Sequence, residues 1–64
     1  MRNKVEEYRK ERGISQEKLA ETSNVSRNTI SLLERQVNVN ATFETMKNIA
    51  DALGKKVSQV FFED

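Results

Sequence analysis

The segment 27–35 carries side chains able to recognise the edges of nucleotide bases. On a helix, at about 100° per residue, the side of this segment opposite the apolar Ile30 is formed by Asn28, Thr29, Ser31, Leu32 and Arg35. Arg27 lies beside this outer face at the amino end, and its length lets it reach a base or a phosphate. Arginine can donate two hydrogen bonds to guanine, asparagine can pair with adenine, and leucine can pack on the thymine methyl group. The outer face therefore has the chemistry of a surface that recognises DNA.

A pair of short helices joined by a tight turn is predicted to position this face. Ser15 and Ser26 are suitable N-cap residues for helices over about 16–22 and 27–35, and residues 23–25 form the turn between them. The small side chain of Ala20 lies where the two helices would cross. This arrangement is a helix-turn-helix, a motif whose second helix, the recognition helix, enters the major groove of DNA.

Helical periodicity also dominates the rest of the chain, and nothing suggests strands. Helices are predicted over about 3–12, ended by Gly13, and over 43–53, capped by Thr42 and ended by Gly54. Ser58 can cap a final turn through Phe62. The predicted inward positions are Val5, Tyr8, Ile14, Leu19, Ala20, Val25, Ile30, Leu33, Phe43, Met46, Ile49, Ala50 and Leu53. The sequence therefore predicts an all-α, compact five-helix domain over residues 1–64.

The composition limits both stability and chemistry. Sixty-four residues, 36% of them apolar, form a small core with a net stability on the order of a few kcal/mol, which a partner subunit would increase. Because the chain has no cysteine and no histidine, we expect no disulfide, no metal site, no cofactor and no enzymatic activity. No apolar run approaches the roughly 18 residues of a membrane span, and no signal peptide is recognisable, so we expect a cytoplasmic protein.

Charge gives weaker guidance. Eleven basic and ten acidic residues leave a net charge of +1, although residues 1–12 hold five basic side chains against three acidic ones. Any positive face therefore lies toward the amino-terminal half. A nearly neutral protein gains little non-specific attraction to phosphates, so DNA binding would depend on a few positioned contacts and on two subunits acting together. The same charges also fit an ordinary solvated surface.

Three blocks of sequence resemble the phage repressor and Cro family of helix-turn-helix regulators, also called the XRE family. They are R-x-x-x-G-I-S-Q-E-x-L-A from Arg9, V-S-x-x-T-I-S-x-L-E-R from Val25, and F-E-T-M-x-x-I-A-D-A-L-G from Phe43. The first two blocks are specific in combination, whereas the third is a generic amphipathic helix. The resemblance covers nearly the whole chain and implies a repressor-like fold and DNA binding.

The resemblance also implies roles for the outer face. Positions that contact bases in the family are occupied here by Arg27, Asn28 and Leu32, with Thr29 and Ser31 as secondary candidates. For Arg27 there are two alternatives to a base contact, a phosphate contact or an ion pair with Glu21. A base contact of Asn28 is likewise open to alternatives. For Leu32 the alternative is incidental exposure, which is ordinary on protein surfaces.

Two further roles follow from the resemblance. Gln16 begins the second helix, where backbone N–H groups and the positive end of the helix dipole favour a phosphate. In the family a glutamine here binds backbone phosphate and braces the start of the recognition helix; an idle first-turn glutamine is the alternative. Arg9 and Glu34 match positions that form a buried, structural ion pair between the first and third helices.

The loop after the recognition helix departs from the family pattern. Family members commonly carry glycine, proline and basic residues here, whereas this chain has the uncharged run Gln36-Val37-Asn38-Val39-Asn40-Ala41. We expect phosphate contacts from Arg35 and from the amides of Asn38 and Asn40, with a shallower salt dependence than a basic loop would give. Val37 and Val39 also suit a contact with another protein.

The tail, residues 57–64, holds more apolar side chains than one turn can bury. If Val57, Val60 and Phe61 close the core, Phe62 remains for a second subunit, and we assign Val60 and Phe62 to a candidate dimer interface. The alternative is that Phe62 folds back over its own core. Several family members dimerise through this last helix, which would place two recognition helices about 34 Å apart on a palindromic site.

These observations predict a small transcriptional regulator that binds double-stranded DNA. We expect a homodimeric repressor acting on an inverted repeat, controlled by its concentration, by dimerisation or by a regulatory protein partner. A different class of function, with the same fold, is an antitoxin or adaptor whose main task is to bind a protein. A partner-binding groove around Val37, Val39 and the tail would favour that alternative.

Overall fold

The computed structural model describes residues 3–37 and 41–62, and these form five helices and no strand. The helices are α1 (Val5–Glu11), α2 (Gln16–Ser23), α3 (Arg27–Glu34), α4 (Phe43–Leu53) and α5 (Ser58–Phe62), of which the last is a π-helical segment. The predicted all-α fold is thus confirmed, and α4 has the predicted bounds. The first helix is shorter than predicted because Asn3 lies outside it, where its Oδ1 accepts a hydrogen bond from the backbone N–H of Val5.

Hydroxyl side chains begin three of the helices. Ser15, Ser26 and Thr42 each accept a hydrogen bond from the backbone N–H three residues further on, at 3.0 or 3.1 Å. All three have extended backbone conformations, as N-cap residues do. The cap predictions for α2, α3 and α4 are therefore confirmed, and each cap contributes about 1 kcal/mol.

The turn between α2 and α3 depends on a left-handed residue. Asn24 has φ 58° and donates its N–H to the carbonyl of Ala20, which ends α2. Asparagine is one of the few side chains that adopt this region readily. The chain can therefore turn within three residues, 24–26, and place the cap of α3 immediately after α2.

The core lies where α2 packs against α3 and α4, with α1 and α5 closing the other side. Its buried members are Val5, Tyr8, Leu19, Ile30, Leu33, Ile49, Ala50, Leu53, Val60 and Phe61. Ile14, Ala20, Val25 and Met46 are partly buried against this cluster, as predicted. Burying such side chains is the main favourable term in folding, and it fixes which side of α3 is left for solvent.

One predicted core position is wrong. Phe43 was assigned an inward position by its spacing from Met46 and Ala50, but 62% of its surface is exposed. Phe43 is the first residue of α4, and its end of the helix extends beyond the buried cluster. Periodicity assigns a residue to a helix face, and it does not say how far along the axis the core extends.

The assignment of Val60 to a dimer interface is also wrong. Val60 is 0% exposed within its own chain, and its carbonyl accepts a hydrogen bond from the Lys4 N–H at 2.8 Å. Phe61 is equally buried, whereas Phe62 is 59% exposed and does not fold back over the core. The core is large enough for two of these three consecutive side chains, and the third is left on the surface.

Candidate nucleic-acid interface

Helix α3 is anchored on one side and exposed on the other. Ile30 is 0% and Leu33 4% exposed, so both fix the inner side of the helix in the core. The side chains of Arg27, Asn28 and Arg35 are exposed on the remaining surface. The structure therefore places two of the three principal candidates for base contact on the accessible side of α3 and one candidate for phosphate contact, Arg35, just after its end.

Leu32 occupies a less open position than helical geometry alone indicates. It is half-buried and, with Thr29, lines a cleft of about 500 Å³ between α3 and the amino-terminal half of α4. The α4 side of this cleft includes Thr45 and Asn48. Leu32 therefore lies at the edge of the outer face nearest α4, where part of its surface is covered by its own chain.

The secondary candidates Thr29 and Ser31 are half-buried. The hydroxyl of Thr29 accepts a hydrogen bond from the Ser26 hydroxyl at 2.8 Å, so it takes part in the cap of α3. Because a hydroxyl can donate while it accepts, Thr29 keeps a donor for another group. Ser31 lies on the opposite flank of the helix, about 200° around the axis from Thr29.

Arg9 and Glu34 form a nearly buried ion pair between α1 and α3. Arg9 Nε donates to Glu34 Oε2 at 2.6 Å and Nη2 donates to Oε1 at 3.1 Å, while Nη1 donates to the Ile14 carbonyl at 2.8 Å. The side chains are 12% and 3% exposed. Hydrogen bonding to Glu34 raises the pKa of Arg9 against the opposing effect of burial, so the guanidinium stays charged. The pair joins the end of α3 to α1.

Gln16 belongs to the same cluster. Its Nε2 donates to Glu34 Oε1 at 3.0 Å, so it contacts the carboxyl end of α3 and not the start, where the family resemblance implied a brace. Gln16 is also the first residue of α2, directly after the Ser15 cap. An amide nitrogen carries two hydrogens, and one remains for a ligand at the amino end of α2.

The remaining predicted contacts concern Glu21 and the loop after α3. Glu21, the alternative partner considered for Arg27, forms an ion pair with Lys18 at 3.3 Å. Asn38 and Asn40, predicted to contact phosphates, lie outside the described residues, as does Val39. Val37 precedes them and is 42% exposed.

Several residues near this surface were missed by sequence reasoning. The exposed Phe43 was assigned to the core, and the contacts of Asn3 and Gln36 with the end of α3 were not foreseen. The sequence offered one indication of an unusual role for Gln36. It lies just after a helix end, at a position where glycine is the usual residue. Contacts across 33 residues leave no local pattern in a sequence.

The described parts of the chain show neither a metal centre nor a membrane span. Residues 3–37 and 41–62 contain no group of three or more acidic, histidine or cysteine side chains placed to hold a metal ion. No helix among them is long and apolar enough to cross a bilayer.

This fold and this face define a DNA-binding protein of the helix-turn-helix class, and comparisons with known proteins agree. A helix-turn-helix family model matches residues 5–60. The chain is 40% identical over 62 residues to the uncharacterised HTH-type transcriptional regulator YgzD of Bacillus subtilis (strain 168), covering 97% of this chain and 92% of that protein. The chain belongs to the XRE-type helix-turn-helix family of transcriptional regulators, which confirms the resemblance.

A solved structure supports the same assignment. The fold matches a chain of the SinR protein/SinI protein complex with a TM-score of 0.85 and 28% identity over 94% of this chain. This chain spans only 58% of that one. The likeness is therefore to a little more than half of the solved chain.

Proposed function

We propose that this protein is a homodimeric repressor that binds an inverted-repeat operator in the cytoplasm with α3 in the major groove. The observation that carries the proposal is the division of α3 into an anchored and an exposed side. Ile30 is fully buried, Glu34 is paired with Arg9, and Arg27 and Asn28 remain exposed near the capped amino end. A recognition helix presents its amino-terminal residues to base edges in this way.

The exposed residues suggest specific base contacts. Arg27 can donate two hydrogen bonds to guanine and Asn28 can pair with adenine, and each such contact contributes about 1 to 3 kcal/mol of discrimination. Leu32, at the cleft edge of the same face, would pack on a thymine methyl group with its uncovered surface. Thr29 and Ser31, which flank this face and are half-buried, are the secondary candidates.

Phosphate contacts would fix the register of α3 in the groove. Gln16 can donate its second amide hydrogen while the first remains bonded to Glu34. Arg35, exposed just after α3, and the amides of Asn38 and Asn40 are the further candidates. The charges support a modest salt dependence, because few basic side chains lie on or next to α3.

The homodimer is supported by the exposed side chain of Phe62. It lies at the end of α5, and burying it against a second copy removes a large apolar surface from water. A two-fold axis near α5 would relate two copies of α3. Their separation of about 34 Å would match successive major grooves of an inverted repeat.

Selection of bound sequences from a random duplex pool, at two salt concentrations, tests this function. Enrichment of an inverted repeat is the expected result and would assign the operator. Enrichment of a single half-site would contradict the dimer while retaining sequence-specific binding. No enrichment at either salt would contradict the proposal as a whole.

A protein-binding role, as an antitoxin or adaptor, is the second candidate. It is favoured by the exposure of Val37 and Phe62, and the solved relative is named as a complex of two proteins. The two candidates differ in what Phe62 contacts, a second copy or another protein. A purified protein that is monomeric at micromolar concentration and shows no sequence preference would favour the second candidate.

A further inference from the structure

The carboxyl end of α3 is joined to the amino-terminal segment by a side chain that has no part in the proposed DNA contacts. Asn3 Nδ2 donates to the carbonyl of Leu33 at 2.9 Å, and Asn3 Oδ1 accepts from the N–H of Val5 at 3.0 Å. Terminal carbonyl and N–H groups of helices have no partner within the helix. One amide therefore bonds to the last turn of α3 and to the first turn of α1.

Gln36 completes the connection from the other direction. Its Oε1 accepts from the backbone N–H of Asn3 at 3.0 Å, and its Nε2 donates to the Asn3 carbonyl at 3.1 Å. We call Asn3 and Gln36, with these bonds, the clasp. The next residue, Lys4, donates its N–H to the carbonyl of the fully buried Val60, which anchors the clasp on the core.

The backbone of Gln36 gives an independent reason to assign the clasp a role. Its φ is 61°, in the left-handed region that side chains other than asparagine, aspartate and histidine rarely adopt. Its N–H donates to the Leu33 carbonyl and that of Val37 donates to the Leu32 carbonyl, both at 3.0 Å. Glycine is the usual residue at this point of such a helix end. A strained conformation persists where the surrounding structure holds it, and here the side chain of Gln36 supplies two bonds.

We propose that the clasp orders the carboxyl end of the recognition helix and the start of the following loop, and that this order sets how well the protein discriminates among DNA sequences. The second half of the proposal rests on the proposed function. Arg35 directly precedes Gln36, and two further phosphate candidates, Asn38 and Asn40, follow within four residues. Disorder at the clasp would let the carboxyl end of α3 itself move and so misalign the side chains of the outer face with the base edges, which the loss of a single phosphate contact does not do. Asn3 and Gln36 are positioning residues, because they act through α3.

Two substitutions separate this role from a general loss of stability. Gln36→Gly removes the side-chain bonds but suits the left-handed backbone, so the thermal midpoint should change little. Asn3→Asp keeps the acceptor for Val5 and removes the donor to Leu33. For each variant we expect the ratio of dissociation constants for a scrambled duplex and the selected operator to fall about tenfold, the size of one lost base contact.

Lys47→Ala is the control. It removes an exposed side chain that pairs with Asp51 at 3.1 Å on α4, a helix that carries neither the clasp nor the candidate dimer contact. Its ratio of dissociation constants should equal that of the original protein. A ratio that is unchanged in Gln36→Gly and Asn3→Asp, or lowered equally in Lys47→Ala, would overturn the effect on discrimination.

Amide hydrogen exchange without DNA tests the ordering itself. In Asn3→Asp, exchange at the N–H groups of Arg35, Gln36 and Val37 should be about tenfold faster, with exchange in the middle of α4 unchanged. Unchanged exchange at the end of α3 would overturn the clasp. If the original protein prefers no sequence, the proposed function and the effect on discrimination both fail, and exchange still decides whether the clasp orders the helix end.

Discussion

Arg27 and Asn28 lie side by side on α3 but differ in what they can contact. Arg27 is long and charged, so it can reach either a guanine or a phosphate, whereas Asn28 recognises an adenine only if the helix is held close to the base edge. The ion pair of Glu21 with Lys18 weakens the third option for Arg27, an intramolecular pair. The choice between base and phosphate is therefore the question to test at this residue.

Arg27→Ala should relax base preference at one position of each half-site. The side chain is exposed and lies outside the core, so the fold should be retained. We expect a loss of about 1 to 3 kcal/mol of discrimination at that position, measured by repeating the duplex selection. Lys10→Ala is the control, because Lys10 is an exposed cation on α1 that pairs with Glu6. A uniform loss of affinity with unchanged preference would show that Arg27 contacts a phosphate.

Gln16→Ala should weaken binding to operator and scrambled duplexes about equally. A phosphate contact carries no base identity, and one lost hydrogen bond amounts to about 0.5 to 1.5 kcal/mol. The measurement is a pair of titrations at one salt concentration, with the thermal midpoint recorded because Gln16 also bonds to Glu34. A change of preference at one base position would instead assign Gln16 to a base contact.

At the scale of the helices, three polar interactions of different kinds hold α3 in place. The Ser26 hydroxyl caps its amino end, Arg9 pairs with Glu34 in its last turn, and Asn3 bonds to the carbonyl of Leu33. Two of these interactions are made by residues of α1 or of the segment before it. The position of the recognition helix therefore depends on Asn3 and Arg9 as well as on the helix-turn-helix itself.

Arg9→Ala should destabilise the domain strongly. It leaves the Glu34 carboxylate, 3% exposed, without its charged partner, and stranding a buried charge costs about 3 to 5 kcal/mol. That loss is comparable to the whole stability of a domain this small, so DNA binding should fall through unfolding. Urea denaturation followed by circular dichroism measures the effect.

Lys47→Ala is the control for this prediction. Lys47 pairs with Asp51 at 3.1 Å, but both side chains are more than half exposed. Exposed pairs contribute about 0 to 1 kcal/mol, so the midpoint of unfolding should move little. Equal effects of the two substitutions would contradict a special role for the buried pair.

At the scale of the whole molecule, the central question is what covers Phe62. The aromatic side chain is exposed in an isolated chain whose core already contains Val60 and Phe61. Two half-sites bound by linked copies would give the affinity that one nearly neutral domain lacks. Assembly would therefore set the range of protein concentration over which an operator is occupied.

Phe62→Glu should convert the protein to a monomer without unfolding it. The substitution places a charge in the proposed interface and leaves the core unchanged, and sedimentation at micromolar concentration measures the result. Phe43→Glu is the control, because Phe43 is equally exposed but lies at the start of α4. A dimer that persists in Phe62→Glu and is lost in Phe43→Glu would move the interface to α4.

The sequence alone determined the elements that depend on neighbouring residues. The caps at Ser15, Ser26 and Thr42 were predicted correctly because a hydroxyl and the N–H it accepts from are three residues apart. The end of α4 at Gly54 and the buried stripe of that helix follow from equally local rules. The two serine caps, with the small Ala20 between them, also predicted the helix-turn-helix, and the family resemblance added candidate roles for the residues on its second helix.

Only the tertiary structure decided which side chains the core has room for and which polar groups meet across the chain. Phe43 was predicted buried and is exposed, and Val60 was predicted at an interface and is buried, because depth depends on where the other helices end. The bond from Gln16 to Glu34 and the clasp of Asn3 with Gln36 join residues 18 and 33 positions apart. Periodicity and capping act over one or two turns, so contacts over such distances are fixed by packing alone.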